Sequence, residues 1–183
     1  MISIDAARRA RAKPRGMTEL LDAVPDDIED AARRVLELAC ADEKTIATAE
    51  SCTGGLLASL LTDVEGASHA FDRGFVVYTD DAKCDLLRVH RSTLDHCGAV
   101  SAETARAMAE GALDHSQADV AVAITGFAGP GAPGDEAGLV HFGCAVRGGA
   151  VAVREEHFGD IGRGPVRLEC LRVALAMLEQ ALA

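Results

Sequence analysis

The chain has 183 residues, 49% hydrophobic and 26% charged, which is enough for one domain with a real core and too few for two comfortable ones. A net charge of −11 argues against a broad basic face for nucleic acid, and 3% aromatics with no tryptophan remove the stacking platforms of single-strand binders. A small anionic ligand would therefore need locally placed Arg or Lys. The six cysteines form no C-x-x-C pair and the histidines no H-x-x-x-H or H-E-x-x-H pattern, so no metal framework is expected. The basic start, with Arg8, Arg9, Arg11, Lys13 and Arg15, runs into Gly16-Met17-Thr18 rather than an apolar stretch. No signal peptide is expected, and the reading is a cytoplasmic chain with reduced thiols.

In chain order, residues 1–24 read as a basic arm, either a solvated tail or a segment packing on an acidic partner subunit, and residues 25–183 as the domain. Asp26 and Asp27 offer caps for a helix reaching about Ala41, and residues 44–49 form a first strand. Glycines Gly54 and Gly55 make a bend before a helix over about 55–62. Residues 74–78 are a second strand, and Asp80 or Asp81 caps a helix carrying Lys83, Leu86 and Leu87. Ser101 caps another helix to about His115. Residues 119–125 are an apolar run fit for a strand buried on both faces. A Gly/Pro loop follows from Gly126, then a β-hairpin from residues 139–146 and 150–158, then a C-terminal helix with Pro165 in its first turn. The fold class is α/β: a three-layer α/β/α sandwich with a mixed, largely parallel central sheet and a C-terminal helix.

The chemistry gathers at two strand ends. Ser51 follows the first strand and precedes a helix N-terminus, the address of a nucleophile or an anion ligand, unless Ser51 or Thr53 simply caps that helix. With three lysines against fifteen arginines, and Tyr78 the single tyrosine, Lys83 points mildly to base chemistry, since an ammonium can lose its proton where a guanidinium cannot. Ser51, Tyr78 and Lys83 would share one rim if both strands are parallel; otherwise Lys83 is an exposed helix residue and Tyr78 packs at the edge.

Five stretches together make a resemblance. Ala49-Glu-Ser-Cys-Thr-Gly-Gly55, Arg73-Gly-Phe-Val-Val-Tyr-Thr-Asp-Asp-Ala-Lys83, His96-Cys-Gly-Ala-Val-Ser101, Ala123-Ile-Thr-Gly-Phe-Ala-Gly-Pro130, and Gly162-Arg163 with Val166-Arg167 resemble the CinA C-terminal domain family over about residues 25–183. Its characterised members are nicotinamide-nucleotide amidohydrolases, and the chain looks like the stand-alone form of a domain that elsewhere follows a larger one. The resemblance implies Ser51 as nucleophile and Lys83 as its general base with Tyr78 alongside. It implies Thr53, Gly54, Gly55, Thr125, Gly126, Gly129 and Arg163 around the substrate. The implied reaction hydrolyses the carboxamide of nicotinamide mononucleotide to nicotinate mononucleotide and ammonia, in pyridine-nucleotide recycling, with no metal and no cofactor. The implied partners are the nucleotide and further copies of the chain in a homo-oligomer, with neither nucleic acid nor membrane.

The physical demands of that reaction fit these residue types. An amide is a poor electrophile, so a serine needs a base, and the tetrahedral oxygen needs donors, for which backbone N–H groups of residues 52–55 are candidates. Lys83 must be neutral to act, which requires burial or neighbouring cations. The loop 126–131 either exposes N–H groups to a phosphate or is a passive connection. Two departures from the family pattern stand out: residues 131–138 are shorter than usual and lack a lysine, and Asp80-Asp81 replaces Ser-Asn. Carboxylates facing Lys83 would oppose its use as a base unless they turn to solvent or cap the helix. A non-catalytic nucleotide-binding or interaction module, and cysteine catalysis through Cys52, are the alternatives.

Overall fold

The computed structural model describes residues 24–64 and 69–183, so the basic arm expected over residues 1–24 lies outside the described residues except for Val24. The apolar run after Asp119 becomes the middle of the sheet, because only a strand with neighbours on both sides and helices over both faces can bury every side chain. That strand is β3 (Val120–Gly126), buried up to its last residue. For chain-order labels, β1 (Ile46–Glu50) pairs with it in parallel, and β2 (Phe71–Val76) pairs in parallel with β1. On the far side, β4 (Leu139–Val146) runs antiparallel to β3 and continues as a hairpin into β5 (Val151–His157). The order is β2-β1-β3-β4-β5, so every strand except β4 points the same way.

Period-two alternation divides the core. Val120, Val122 and Ile124 point to the face covered by α1 (Asp26–Ala41), α2 (Leu56–Asp63) and α6 (Arg163–Leu182). Ala121 and Ala123, with Ala47, Ala49 and Ala145, point to α3 (Asp80–Leu87), α4 (Arg91–Cys97) and α5 (Ala102–Asp114). This second face is small throughout, and α5 therefore lies close against it. A Cβ on Gly143 would collide with the carbonyl of Ala105, so glycine is required there.

Several expectations shift at the boundaries. The first strand starts at Ile46, not at Lys44, because Thr45 is held instead by the Asp119 carboxylate, which accepts from its backbone N–H at 2.8 Å. The second strand starts at Phe71 and ends at Val76. Asp72 and Arg73 hide it in the sequence, yet an edge strand tolerates charges on its solvent side. Pro25 rather than an aspartate occupies the cap of α1, and Thr79 rather than Asp80 or Asp81 caps α3, its hydroxyl accepting from the Ala82 N–H at 3.1 Å. Helix α4 was not expected; it is seven residues long and buries only Leu94, too little for a readable period.

Candidate active site

The strand order reverses direction of travel between β1 and β3, since β1 connects to β2 on one side while β3 lies on the other. Such a switch point opens a crevice beyond the carboxyl ends of the two strands. β1 ends on Glu50, a fully buried carboxylate. It accepts from the backbone N–H groups of Gly55 at 3.0 Å, Leu57 at 3.1 Å and Ala58 at 2.8 Å. Glu50 thus satisfies the free donors of the α2 N-terminus and complements its dipole, pinning both ends of the 51–55 turn. Gly54 and Gly55 take positive φ, +65 and +93°, to close that turn. The N–H of Gly54 returns to the Ser51 carbonyl. Of the donors expected over residues 52–55, those of Cys52 and Thr53 alone have no acceptor among the described residues, so any oxyanion hole in the turn rests on these two and not on the helix terminus.

Ser51 and Lys83 are brought together. Ser51 is 8% exposed and its backbone N–H donates to Ile124 at 3.0 Å, fixing the residue against β3. Lys83, on the first turn and a half of α3, is 1% exposed and turns inward, with Nζ 3.5 Å from Ser51 Oγ, 3.2 Å from the Val77 carbonyl and 3.5 Å from the Tyr78 carbonyl. Burial holds its pKa below the ordinary 10.5, with Asp80, Cys52 and Cys84 pulling weakly the other way. The Asp80-Asp81 departure is therefore offset by position: both residues are exposed in the first turn of α3, and Asp81 pairs with Arg91. The three acceptors suit either protonation state. An ammonium would donate to all three, whereas a neutral amine would donate to the two carbonyls and aim its lone pair at the serine hydroxyl.

On the Ser51 side of this pair lies a cleft of about 190 Å³, lined by Ser51, Cys52, Tyr78, the loop of residues 126–131, and Arg163. Arg163, at the start of α6, sets its guanidinium beside Gly129, 3.6 Å from where a Cβ there would stand, and pairs with no carboxylate among the described residues. In the loop, the N–H of Phe127 donates to Leu139, while those of Ala128, Gly129 and Gly131 have no acceptor among the described residues. The loop thus brings N–H groups with no acceptor among the described residues to the lining of the same cleft as Arg163, the composition of an anion site.

Other expected residues stand differently. Tyr78 joins through its carbonyl; its side chain is 69% exposed at the lip of the cleft. Thr125 is buried, and its hydroxyl donates to the Ala99 carbonyl at 2.6 Å, tying the α4–α5 connection to the end of β3 rather than facing the cleft. Thr53 is buried behind the turn with its hydroxyl unpaired. Cys52 lines the cleft, but no histidine does, so cysteine catalysis lacks its usual base there. Glu50 and Arg167 stand in the motif stretches but were given no role from the sequence. A lone glutamate closing an apolar strand just before a glycine turn was the available signal for the first. The spacing of four from Arg163, one helical turn, was the signal for the second, whose Nε donates to the Cys52 carbonyl at 2.8 Å. Among the described residues no cluster of His, Cys, Asp or Glu could hold a metal ion, and no helix is long and apolar enough to cross a membrane.

Fold and rim together define an α/β protein with a serine and a desolvated lysine in contact above a glycine-lined cleft. The chain belongs to the CinA C-terminal domain family, whose model matches residues 28–182. CinA-like proteins of Leptospira borgpetersenii and Chlorobium phaeobacteroides are 46% and 48% identical over 136 and 143 residues, 73% and 75% of this chain. The chain spans about a third of the length of these relatives, 32% and 34%. Among solved structures, the competence/damage inducible protein CihA from Agrobacterium tumefaciens is 48% identical with a TM-score of 0.84, over 90% of this chain and 99% of that one. A CinA superfamily protein from Escherichia coli is 37% identical with a TM-score of 0.80 and the same coverage.

Proposed function

We propose that this site hydrolyses the carboxamide of nicotinamide mononucleotide, giving nicotinate mononucleotide and ammonia. The observation that carries the reading is the buried Lys83 amine, without a carboxylate partner among the described residues and 3.5 Å from the Ser51 hydroxyl. Neutral Lys83 takes the Ser51 proton as Oγ attacks the amide carbon, and the N–H groups of Cys52 and Thr53 receive the developing oxyanion. The lysine then returns the proton to the departing nitrogen, and ammonia leaves an ester on Ser51. Lys83 next deprotonates a water, which attacks the ester, and its proton returns to Ser51 Oγ as the C–O bond breaks and the carboxylate is released. Because the amine keeps the same three neighbours in both protonation states, these transfers need no rearrangement of the base.

The cleft is small for a whole nucleotide, since pockets that enclose ligands of that size run to roughly 300–1,000 Å³. It fits the pyridine carboxamide at Ser51, with the phosphate reaching out toward Arg163 and the 128–131 donors. The test is ammonia release from nicotinamide mononucleotide by the purified protein, with Ser51→Ala as control. Nucleotide binding without ammonia release from the wild-type protein would overturn the enzymatic reading in favour of a binding module.

A further inference from the structure

Arg167 has no part in this mechanism, although it touches the turn on which the mechanism depends. It stands one helical turn beyond Arg163 on α6, yet of the two only Arg163 lines the cleft. Its Nε donates to the Cys52 carbonyl at 2.8 Å, its only side-chain hydrogen bond among the described residues. Its Nη2 lies 3.8 Å from where a Cβ on Gly54 would stand, so the guanidinium rests against residues 52–54 of the turn. The Cys52 carbonyl and the Thr53 N–H are opposite ends of one planar trans peptide and point in opposite directions. Whatever holds that carbonyl therefore aims that N–H, one of the two donors left for an oxyanion. We propose that Arg167 is a positioning residue of the oxyanion hole: by holding the Cys52 carbonyl it turns the Thr53 N–H toward the oxyanion and polarises it. The proposal rests on the amidohydrolase reading.

The geometry of the turn shows why such a hold matters. The Gly54 N–H donates to the Ser51 carbonyl at 3.1 Å, closing a β-turn with Cys52 and Thr53 at its centre. The middle peptide takes no part in that closing bond and can rotate while both ends of the turn stay in place. Types I and II differ by this rotation, which carries ψ of the first central residue from about −30° to about +120° and φ of the second from about −90° to about +80°. A full rotation would put a carbonyl oxygen where the N–H had been, facing the developing negative charge. Glu43 and Arg88 are the only non-glycine residues of positive φ among the described ones, so Cys52 and Thr53 keep the turn on the type I side. The β-branch of Thr53 opposes complete reversal, but it leaves the peptide free to tilt within the type I range. Glu50 pins the far end of the turn through Gly55, Leu57 and Ala58, leaving the middle peptide to Arg167. The charge-assisted bond from the guanidinium resists the tilt. It also draws electron density onto the carbonyl oxygen, which makes the N–H of the same peptide a stronger donor.

The test compares Arg167→Met, which keeps the stem and removes the donors, with Arg167→Lys, which keeps the charge without the planar fork. Removing an oxyanion donor outright costs about 100- to 1,000-fold in kcat. A donor that is kept but loses its aim should cost less, on the order of 10-fold for Arg167→Met, with Arg167→Lys between it and the wild type. KM for nicotinamide mononucleotide should hold, because Arg167 does not line the cleft. The midpoint of the pH profile should hold too, because burial, Asp80, Cys52 and Cys84 set the acidity of Lys83 and Arg167 does not. A wild-type kcat in either folded variant, a loss confined to KM, or a displaced midpoint would each overturn the proposal. Two further measurements, by NMR on the ¹⁵N-labelled full-length chain, need no turnover. A hydrogen bond to the Cys52 carbonyl deshields the Thr53 amide nitrogen, so that resonance should move upfield in Arg167→Met while the amides of β5 stay in place. In the wild type the Arg167 Nε–H should exchange slowly with solvent. A stationary Thr53 resonance, or an Nε–H that exchanges as fast as a free guanidinium, would overturn the proposal whatever the kinetics show. A wild-type protein that releases no ammonia would refute the amidohydrolase reading by itself, with the hold of Arg167 on the Thr53 N–H still decided by the two resonances.

Discussion

At the residue scale the site turns on one hydroxyl and one amine, and each can be removed with little harm to the fold. Ser51→Ala should lower kcat by roughly four or more orders of magnitude, with the circular dichroism spectrum unchanged; near-normal turnover would assign the chemistry elsewhere. Lys83→Arg keeps a cation but supplies a group that does not deprotonate at ordinary pH, so it should bind nucleotide and hardly turn it over, as calorimetry and ammonia release on the same sample would reveal. The sign of the pH dependence follows from the same amine. In the proposed mechanism the active form is neutral, so kcat/KM should be present above the folded pKa of Lys83 and lost as pH falls through it, and burial places that midpoint below 10.5. A profile that falls with rising pH over this range would exclude Lys83 as base. Glu50 belongs to this scale as well: Glu50→Gln keeps one acceptor oxygen but turns an amide N–H₂ toward at least one of the three backbone donors, and should cost about 2–3 kcal/mol of stability in urea denaturation.

At the scale of elements, close approach does more than propensity. Helix α5 lies against a strand face made of alanine and glycine, and Gly143 is where its backbone comes nearest. Gly143→Ala should therefore lower stability by about 1–3 kcal/mol through overpacking, a fall of several degrees in Tm, without changing the length of any element. A neutral effect would mean that α5 can slide. Helix α3 was legible as a helix because the aspartates and the Leu86-Leu87 pair mark it. Its helical period did not show that Lys83 is buried alongside Leu87; only the scarcity of lysine and the demands of the implied reaction pointed that way. That burial is decided by Ser51 and the Val77 and Tyr78 carbonyls, which arrive from two other elements.

Over the whole molecule, the cleft is assembled from segments far apart in the chain: the turn after β1, the junction before α3, the loop after β3 and the start of α6. Arg163 enters from the last of these, across an otherwise acidic protein. Arg163→Ala should weaken kcat/KM for the mononucleotide by roughly 1.5–3 kcal/mol, about 10- to 150-fold. Nicotinamide riboside, which lacks the phosphate, should show a loss of similar size with the wild type and no further loss with the variant. Equal processing of riboside and mononucleotide by the wild type would remove any phosphate-binding role from Arg163 and the 128–131 loop.

The sequence alone determined the α/β class, the strand within residues 119–125 buried on both faces and a set of candidate residues at strand ends, because periodicity, glycine turns and hydroxyls at strand termini are local properties of the chain. The five motif stretches likewise pointed to the CinA C-terminal domain family before any geometry was known. Only the tertiary structure decided that Glu50 occupies the α2 N-terminus, that Thr125 faces Ala99 instead of the cleft, that Tyr78 joins by its carbonyl, and that Lys83 is buried. Each of these depends on which distant group reaches a given donor or acceptor first. A buried polar atom must find a partner wherever the fold supplies one, and that partner is set by packing across the sheet rather than by neighbours along the chain.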